Sequence, residues 1–175
     1  IAFVKVKSKD YVKVGKNPEA MLQAVLEISN KLGQGFELDQ VVTALLDGLL
    51  QMFENAAEGV VLLPDPKSGE LEVKASQTKI VSPQKSVRIS KIIVEQAREN
   101  RMGILVEDAI LDQRFQASES VSSMQLRSVI CVPLVGKSSD VLGVIQVSTA
   151  DARFRFVQAD LELLVSVASQ GSLAI

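Results

Sequence analysis

The sequence RSVICVPL, residues 127–134, is followed by GKSSD at 136–140, VLGVIQVSTADA at 141–152 and FVQADLELLVSVASQGSLAI at 156–175. The first and third segments are apolar and rich in β-branched residues, and the segment between them has the composition of a turn. This pattern predicts two strands joined in a β-hairpin. The last segment predicts a long helix, because apolar residues recur along it at helical spacing. That helix carries more apolar surface than one contact with a sheet would cover.

Two helices are predicted near the start of the chain. Asn17 and Pro18 are typical of a helix start, because Asn caps the first turn and Pro lacks only an N–H that would be unpaired there. The first helix carries apolar residues at heptad spacing: Met21, Val25, Ile28 and Leu32. The second helix, over about 38–53, should be mostly buried because its apolar residues cover more than one face.

The middle of the chain predicts strands and a helical insertion. Four short strands are indicated by apolar runs or by alternation: 60–63, 71–75, 87–89 and 104–106. In the second of these, Leu71, Val73 and Ala75 alternate with polar residues, which predicts one buried face. Ser90 is placed to cap a helix that runs to about residue 100. The whole order of elements predicts an α+β sandwich around an antiparallel sheet.

Residues 1–16 differ from the rest in composition. A single acidic residue, Asp10, stands among five lysines: Lys5, Lys7, Lys9, Lys13 and Lys16. Val4 and Val6 alternate with polar residues, as do Val12 and Val14, in the manner of short strands. We predict that 1–16 is a basic linker, or a tail from a preceding domain that pairs with a neighbouring domain, and that 17–175 is one domain.

Composition and charge argue against several classes of protein. The 175-residue chain has a formal net charge of −2, whereas nucleic-acid-binding domains usually carry a basic surplus. No apolar run approaches the roughly 20 residues of a membrane span. A single cysteine forms no internal disulfide, which favours a cytoplasmic location. The chain begins at Ile1 without Met, so we expect a longer protein around it.

The residues also argue against an enzyme or a metalloprotein. The chain has no histidine and one cysteine, Cys131, so imidazole and paired thiolate ligands are missing. Asp108, Asp112 and Arg114 lie in a polar stretch without a nucleophile, where carboxylates are usually solvated or cap turns. We therefore expect no catalysis, no metal and no cofactor. Cys131 is expected to be a small buried hydrophobic residue.

Four segments together resemble the GAF family of sensory domains: RSVICVPL from Arg127, VLGVIQV from Val141, FVQADLELL from Phe156 and ILVEDAILDQRF from Ile104. The resemblance covers about 17–175. It implies a GAF-like (PAS/profilin-like) three-layer sandwich, with a central six-stranded antiparallel sheet and helices on both faces. It also implies a ligand pocket between the sheet and the polar stretch at 107–126.

A subgroup of the family is indicated by ISKIIVEQ from Ile89 and LLPDPKSGEL from Leu62. These segments are most similar to GAF domains next to forkhead-associated domains in bacterial signalling proteins. In that subgroup the output domain is a nucleotide cyclase, a metal-dependent phosphatase or a transcription activator. The resemblance therefore implies a regulatory domain that controls an attached output domain.

Three ligand or activity classes within the family fit less well. Bilin-binding GAF domains need a cysteine beside a histidine, and the GAF-fold reductase of free methionine sulfoxide needs more than one cysteine. Cyclic-nucleotide GAF domains carry an Asn-Lys pair where this chain has Thr149 and Ala150. Phe156 and Asp160 match the rest of that motif, but a hydrophobic residue and a carboxylate are also ordinary at a helix start. Cyclic-nucleotide binding stays open as an alternative.

The pocket is predicted to have the 107–126 stretch as its roof and the strand of Gln146 as its floor. The candidate lining residues are Phe115, Ser118, Met124, Ser128 and Gln146. Phe115 either attaches the polar stretch to the core or faces a ligand. Gln146 lies in an apolar strand, where a buried amide needs a partner: a ligand, a water or a neighbouring backbone group.

A parallel homodimer is predicted from the first and last helices. The interface residues in the last helix recur at heptad spacing: Leu161, Leu164, Ala168, Gly171 and Ile175. The first helix adds Met21, Val25, Ile28 and Leu32. Leu163 and Val167 mark a second apolar face for the chain's own sheet. The alternative is that both faces are covered within the monomer.

The sequence thus predicts a non-catalytic regulatory domain that binds a small molecule, dimerises, or does both. A dimerisation module without a ligand is the main alternative.

Overall fold

Six antiparallel strands form one sheet in the computed structural model, which describes residues 2–5, 38–80, 87–109, 127–151 and 153–172. The strands are β1 (Ala2–Lys5), β2 (Glu58–Pro64), β3 (Leu71–Thr78), β4 (Met102–Val106), β5 (Ser128–Val135) and β6 (Val141–Thr149). Their order across the sheet is β1-β4-β5-β6-β2-β3. The helices within these described ranges are α1 (Leu38–Met52), α2 (Lys91–Asn100) and α3 (Gln158–Gly171).

The two faces of the sheet carry different helices. Side chains alternate between faces along a strand, so each strand contributes to two separate cores. On the α1/α3 face, alternate β5 residues Ile130, Val132 and Leu134 pack with the two long helices. On the α2 face, Val129 and Cys131 pack with Ile93, Val94 and Ala97 of α2. The predicted α+β sandwich with helices on both faces is confirmed.

One of the six strands is not where the sequence predicted it. The segment around Val87 and Ile89 is irregular, and the sixth strand is instead β1, which pairs with β4 from Ala2↔Leu105 to Lys5↔Met102. The linker prediction for 1–16 is therefore wrong for Ala2–Lys5, which form an edge strand of the sheet itself. The alternation of Val4 with lysines was the sequence signal for this strand. The predicted first helix, with Met21, Val25, Ile28 and Leu32, lies outside the described residues.

The β5–β6 hairpin forms the centre of the sheet, as predicted. Its register runs from Ser128↔Thr149 to Val135↔Val141. The turn is closed by hydrogen bonds from the Gly136 N–H to the Asp140 carbonyl (2.9 Å) and from the Ser139 N–H to the Gly136 carbonyl (3.0 Å). Gly143 lies where β6 passes close to β2, since a Cβ there would come within 2.5 Å of the Leu62 carbonyl oxygen. A side chain at 143 would push β6 and β2 apart.

The alternation predicted for 71–75 is interrupted in β3. The register with β2 passes from Val61↔Ala75 to Leu62↔Val73, so Lys74 is an extra residue in β3. Such a bulge breaks the strict two-residue period of a strand. Leu71 and Ala75 therefore pack on opposite faces of the sheet. Val73, on the edge strand β3, is 47% exposed, although the pattern predicted that it would be buried.

Candidate ligand site on the α2 face

Gln146 is a buried amide on the α2 face, and both its nitrogen and its oxygen are hydrogen-bonded. Its Nε2 donates to the Arg88 carbonyl at 2.8 Å, and its Oε1 accepts the Ser90 N–H at 3.0 Å. The partner of this amide is therefore neighbouring backbone, one of the three possibilities that the sequence left open. The two bonds hold the irregular segment 87–90 against the sheet.

A buried ion pair lies one step along the sheet from Gln146. Glu58 of β2 is 3% exposed, and its carboxylate accepts hydrogen bonds from Arg88 Nε at 3.0 and 3.1 Å. It also accepts the Arg88 backbone N–H at 3.3 Å. A charge buried this deeply is tolerated only when it is paired and hydrogen-bonded. Arg88 is therefore bound to the sheet through its carbonyl, its N–H and its side chain.

Two buried serine hydroxyls adjoin these groups. Ser148 is opposite Glu58 in the β2–β6 register, two residues along β6 from Gln146 and on the same face. Ser90 lies at the start of α2, where its N–H binds Gln146. Both serines are 1% exposed, and neither Oγ has a hydrogen-bond partner among the residues that the structure describes. We name Glu58, Arg88, Ser90, Gln146 and Ser148 the Gln146 cluster.

The Gln146 cluster lies at one end of the α2 face, and the other buried residues described on that face are apolar. Buried polar atoms in folded proteins are nearly always hydrogen-bonded, so each exception needs an explanation such as a ligand or a water. A hydroxyl both donates and accepts, and two of them beside a bound amide provide the few directed polar contacts typical of small-molecule sites.

Comparison with known proteins identifies the family. A model of the GAF domain matches residues 35–175. The chain belongs to the GAF family. GAF domains are in general sensory or regulatory modules of signalling proteins. None of the curated protein sequences matches the chain.

Solved structures, GAF domains among them, have the same fold at low sequence identity. The phycoerythrobilin-bound GAF domain of a cyanobacterial phytochrome is 17% identical, with a TM-score of 0.71 over 92% of this chain and 95% of that one. A GAF domain of a Coxiella burnetii phosphoenolpyruvate-protein phosphotransferase is 17% identical (TM-score 0.66, covering 88% and 92%). Residues 122 to 287 of a methyl-accepting chemotaxis protein are 19% identical (TM-score 0.63, covering 84% of this chain and 93% of that one).

The structure separates two of the predicted pocket residues of this GAF domain. Cys131 and Gln146 are opposite each other in the β5–β6 register, so both lie on the α2 face. Ser128 is three residues from Cys131 and therefore lies on the α1/α3 face. Its Oγ donates to the Val106 carbonyl at 3.1 Å and accepts the Phe156 N–H at 3.0 Å. The prediction that Ser128 and Gln146 line one pocket is wrong, because a strand reverses faces at every residue.

The other predicted pocket residues, Phe115, Ser118 and Met124, lie outside the described residues. In the described part of the 107–126 stretch, Asp108 forms ion pairs with two arginines. The Asp108 carboxylate lies 3.1 Å from Arg155 Nη2 and 3.8 Å from Arg127 Nη1. The Asp108 side chain is 9% exposed, so it is not the solvated carboxylate that the sequence indicated for this stretch.

The sequence analysis did not predict four members of the Gln146 cluster as site residues: Glu58, Arg88, Ser90 and Ser148. Ser148 continues the alternation that places Gln146 on the α2 face, so the strand period was a usable signal. Glu58 precedes the apolar run GVVLL, and a charge next to a buried strand is a second signal. Arg88 and Ser90 had no such signal, because an irregular segment has no period.

Three residues on or near the cyclic-nucleotide motif have local roles. Phe156 is buried, and its ring packs edge-on against Phe53 with 5.8 Å between centroids. The Asp160 carboxylate accepts the Val157 N–H at 2.8 Å at the start of α3. Thr149 Oγ1 donates to the Asp151 and Phe154 carbonyls, both at 3.1 Å. Packing and capping thus account for these side chains.

The cysteine is buried beneath α2. Cys131 is fully buried, and burial raises the pKa of its thiol well above the usual range. A thiol in this state is a poor nucleophile, because the thiolate is the reactive form. The described residues contain no group of three or more His, Cys, Asp or Glu side chains that could hold a metal ion. Among the same residues, no helix is long and apolar enough to cross a membrane.

The described part of the predicted dimer interface is buried inside the single chain. Leu161, Leu164 and Ala168 are 0% exposed, and Gly171 packs against the Leu45 side chain. Val167, assigned to the opposite face of the helix, is 1% exposed. The assignment of these α3 residues to a homodimer interface is therefore wrong, because both faces of the helix are covered within the monomer. Ile175 lies outside the described residues.

An open groove of about 590 Å³ lies elsewhere, between α1 and the end of β3. Its lining residues are Asp47, Leu50, Gln51, Glu54, Gln77 and Lys79. The Lys79 ammonium donates to the carbonyls of Leu50 (2.8 Å), Phe53 (3.4 Å) and Glu54 (3.4 Å) and so caps the C-terminus of α1. The charged lining side chains are solvent-accessible, and the lysine has a structural role. The Gln146 cluster is therefore the stronger candidate site.

Proposed function

We propose that this GAF domain is a non-catalytic regulatory module that binds a small molecule at the Gln146 cluster. The observation that carries the proposal is the pair of buried hydroxyls, Ser90 and Ser148, without hydrogen-bond partners among the described residues. Leaving a hydroxyl buried and unpaired costs about 1–3 kcal/mol. Stability therefore does not account for two such hydroxyls beside a bound amide, whereas a ligand that hydrogen-bonds to them would.

The cluster suits a ligand with both polar and apolar parts. Ser90 and Ser148 offer hydrogen bonds to a polar group, while Val129 and Val106 lie beside Ser148 on the same face. The Glu58 carboxylate and the Arg88 guanidinium neutralise each other, so the cluster has no net charge. A largely neutral, hydrogen-bonding compound fits this environment better than a multiply charged one.

The regulated output lies in another part of a longer protein under this proposal. The similarity of ISKIIVEQ and LLPDPKSGEL to GAF domains beside forkhead-associated domains supports a bacterial signalling protein with a separate output domain. A homodimer remains a prediction for which the first helix carries the sequence argument. Sedimentation of the purified chain at high micromolar concentration tests it.

Mass spectrometry of small molecules released from the purified protein tests ligand binding. We expect one compound to be retained, or one member of a metabolite library that includes cyclic nucleotides to raise the melting temperature. Ser148→Ala should reduce this binding at least tenfold, because it removes a hydrogen bond to the ligand. Ser166→Ala is the matched control, since its buried Oγ already donates to the Glu162 carbonyl at 3.0 Å.

The proposal is wrong if no compound is retained and none raises the melting temperature. It is also wrong if a compound binds but Ser148→Ala and Ser166→Ala bind it equally well.

A further inference from the structure

Helix α2 is less firmly attached to the sheet than the other two described helices. It buries three of its ten residues: Ile93, Val94 and Ala97. By contrast, α3 buries eight of fourteen and α1 buries six of fifteen. Elements with few buried apolar contacts open at a lower free energy than the core of the same protein. Opening of α2 should therefore precede global unfolding.

Helix α2 lacks a side-chain cap at its start and ends in a residue with a left-handed backbone. The side chain of the N-terminal residue, Ser90, makes no capping hydrogen bond to the helix. At the other end, Arg101 adopts the left-handed conformation with φ of 53°. This conformation costs a residue with a Cβ roughly 1–2 kcal/mol, which is why glycine is usual there. The Arg101 N–H donates to the Ala97 carbonyl, so the end of α2 is capped, but by a residue that carries this conformational cost.

The N-terminal attachment of α2 depends on side chains from the sheet. Gln146 binds the Arg88 carbonyl and the Ser90 N–H, which belong to the segment that leads into the helix. The Glu58–Arg88 ion pair adds a second attachment to the same segment. At the far end, Arg98 Nη2 donates to the Gly69 carbonyl at 2.9 Å on the exposed β2–β3 turn. The buried attachments are thus at the Gln146 end.

We propose that residues 87–90 and α2 form a lid that opens as a unit. The two hydrogen bonds of the Gln146 side chain hold this lid closed. Opening breaks the two amide hydrogen bonds and exposes the Ser90 and Ser148 hydroxyls to solvent and ligand. A ligand that hydrogen-bonds to these hydroxyls shifts the lid equilibrium by its difference in affinity for the two states. The ligand step rests on the proposed function, whereas the lid itself is a property of the free protein.

Hydrogen exchange of the purified, ligand-free chain tests the lid. In the wild type at low denaturant, we expect the backbone amides of α2 to exchange at a lower opening free energy than those of α3. In Gln146→Leu, exchange of α2 should accelerate about tenfold, which corresponds to about 1.4 kcal/mol, while exchange in α3 changes little.

Ser128→Ala is the matched control on the opposite face. Like Gln146, Ser128 joins two backbone groups with one buried side chain, here the Val106 carbonyl and the Phe156 N–H. We expect Ser128→Ala to accelerate exchange near the start of α3 and to leave α2 close to wild type. Equal acceleration of α2 and α3 in Gln146→Leu would overturn the lid.

If Gln146→Leu does not fold, hydrogen exchange of the wild type still tests the lid. Exchange of α2 and α3 at the same opening free energy in the wild type would also overturn it. Failure of the ligand experiments would leave these exchange results unchanged, so the two proposals fail separately.

Discussion

The two faces of the sheet use buried polar groups in different ways. On the α1/α3 face, the buried serines of α3 donate within their own helix: Ser166 to Glu162 at 3.0 Å and Ser169 to Val165 at 2.9 Å. On the α2 face, the Gln146 cluster combines a buried ion pair, a bound amide and two hydroxyls without described partners. A fully satisfied core favours one rigid arrangement, whereas unpaired buried hydroxyls are costly, and we propose that a ligand satisfies them here.

The largest expected effect on stability comes from a substitution in the core of the α1/α3 face. Leu164→Glu should prevent folding, because it places a carboxylate at a position that is fully buried within the monomer. The earlier dimer interpretation of this leucine predicts a folded monomer instead. Circular dichroism and sedimentation distinguish the two. Leu164→Ala should fold and lose about 2–5 kcal/mol in urea denaturation. A folded, stable Leu164→Glu variant would restore the dimer interpretation.

The next largest effect is expected from the buried ion pair of the α2 face. Glu58→Gln removes one charge and leaves Arg88 largely buried, which should reduce the free energy of unfolding by about 3 kcal/mol. A double-mutant cycle with Arg88→Met measures the coupling between the two side chains. The exposed pair of Arg153 and Asp151 provides the control, since Asp151→Asn should change stability by less than about 1 kcal/mol. Equal losses for the two pairs would contradict the burial argument.

A smaller effect of opposite sign is expected at Ser148. Ser148→Ala should raise the free energy of unfolding of the ligand-free protein by about 1 kcal/mol, because it removes a buried hydroxyl without a described partner. Ser169→Ala on the other face should be neutral or slightly destabilising, because its hydroxyl is satisfied. Thermal or urea denaturation of both variants measures the difference. A destabilised Ser148→Ala variant would indicate that this hydroxyl is bonded in solution.

The smallest effect is expected at the end of α2. Arg101→Gly should stabilise the protein by about 0.5 kcal/mol, since glycine adopts the left-handed conformation without the Cβ penalty but loses more chain entropy on folding. Ser138→Gly in the β5–β6 turn serves as the control, because its φ is not positive and glycine there gains nothing. No stabilisation of Arg101→Gly relative to this control would show that the conformation at 101 is not strained.

The period of the apolar residues was enough to predict most of the fold. The hairpin of β5 and β6, the helix at 38–52 and the final helix all carry long, regular patterns, and each is present as predicted. The strand predicted at 87–89 failed because two apolar residues do not make a period. Its segment instead hydrogen-bonds to Gln146, a residue far away in sequence.

The candidate site depended on information that no local pattern contains. Alternation along β6 determined that Gln146 and Ser148 share a face. Only the β5–β6 register showed that Ser128 lies on the opposite face. Likewise, the heptad spacing of Leu161, Leu164 and Ala168 indicated an apolar face on α3, and tertiary packing decided that this face is buried within the chain. A sequence period specifies which residues point together, whereas the partner that covers them depends on contacts between distant segments.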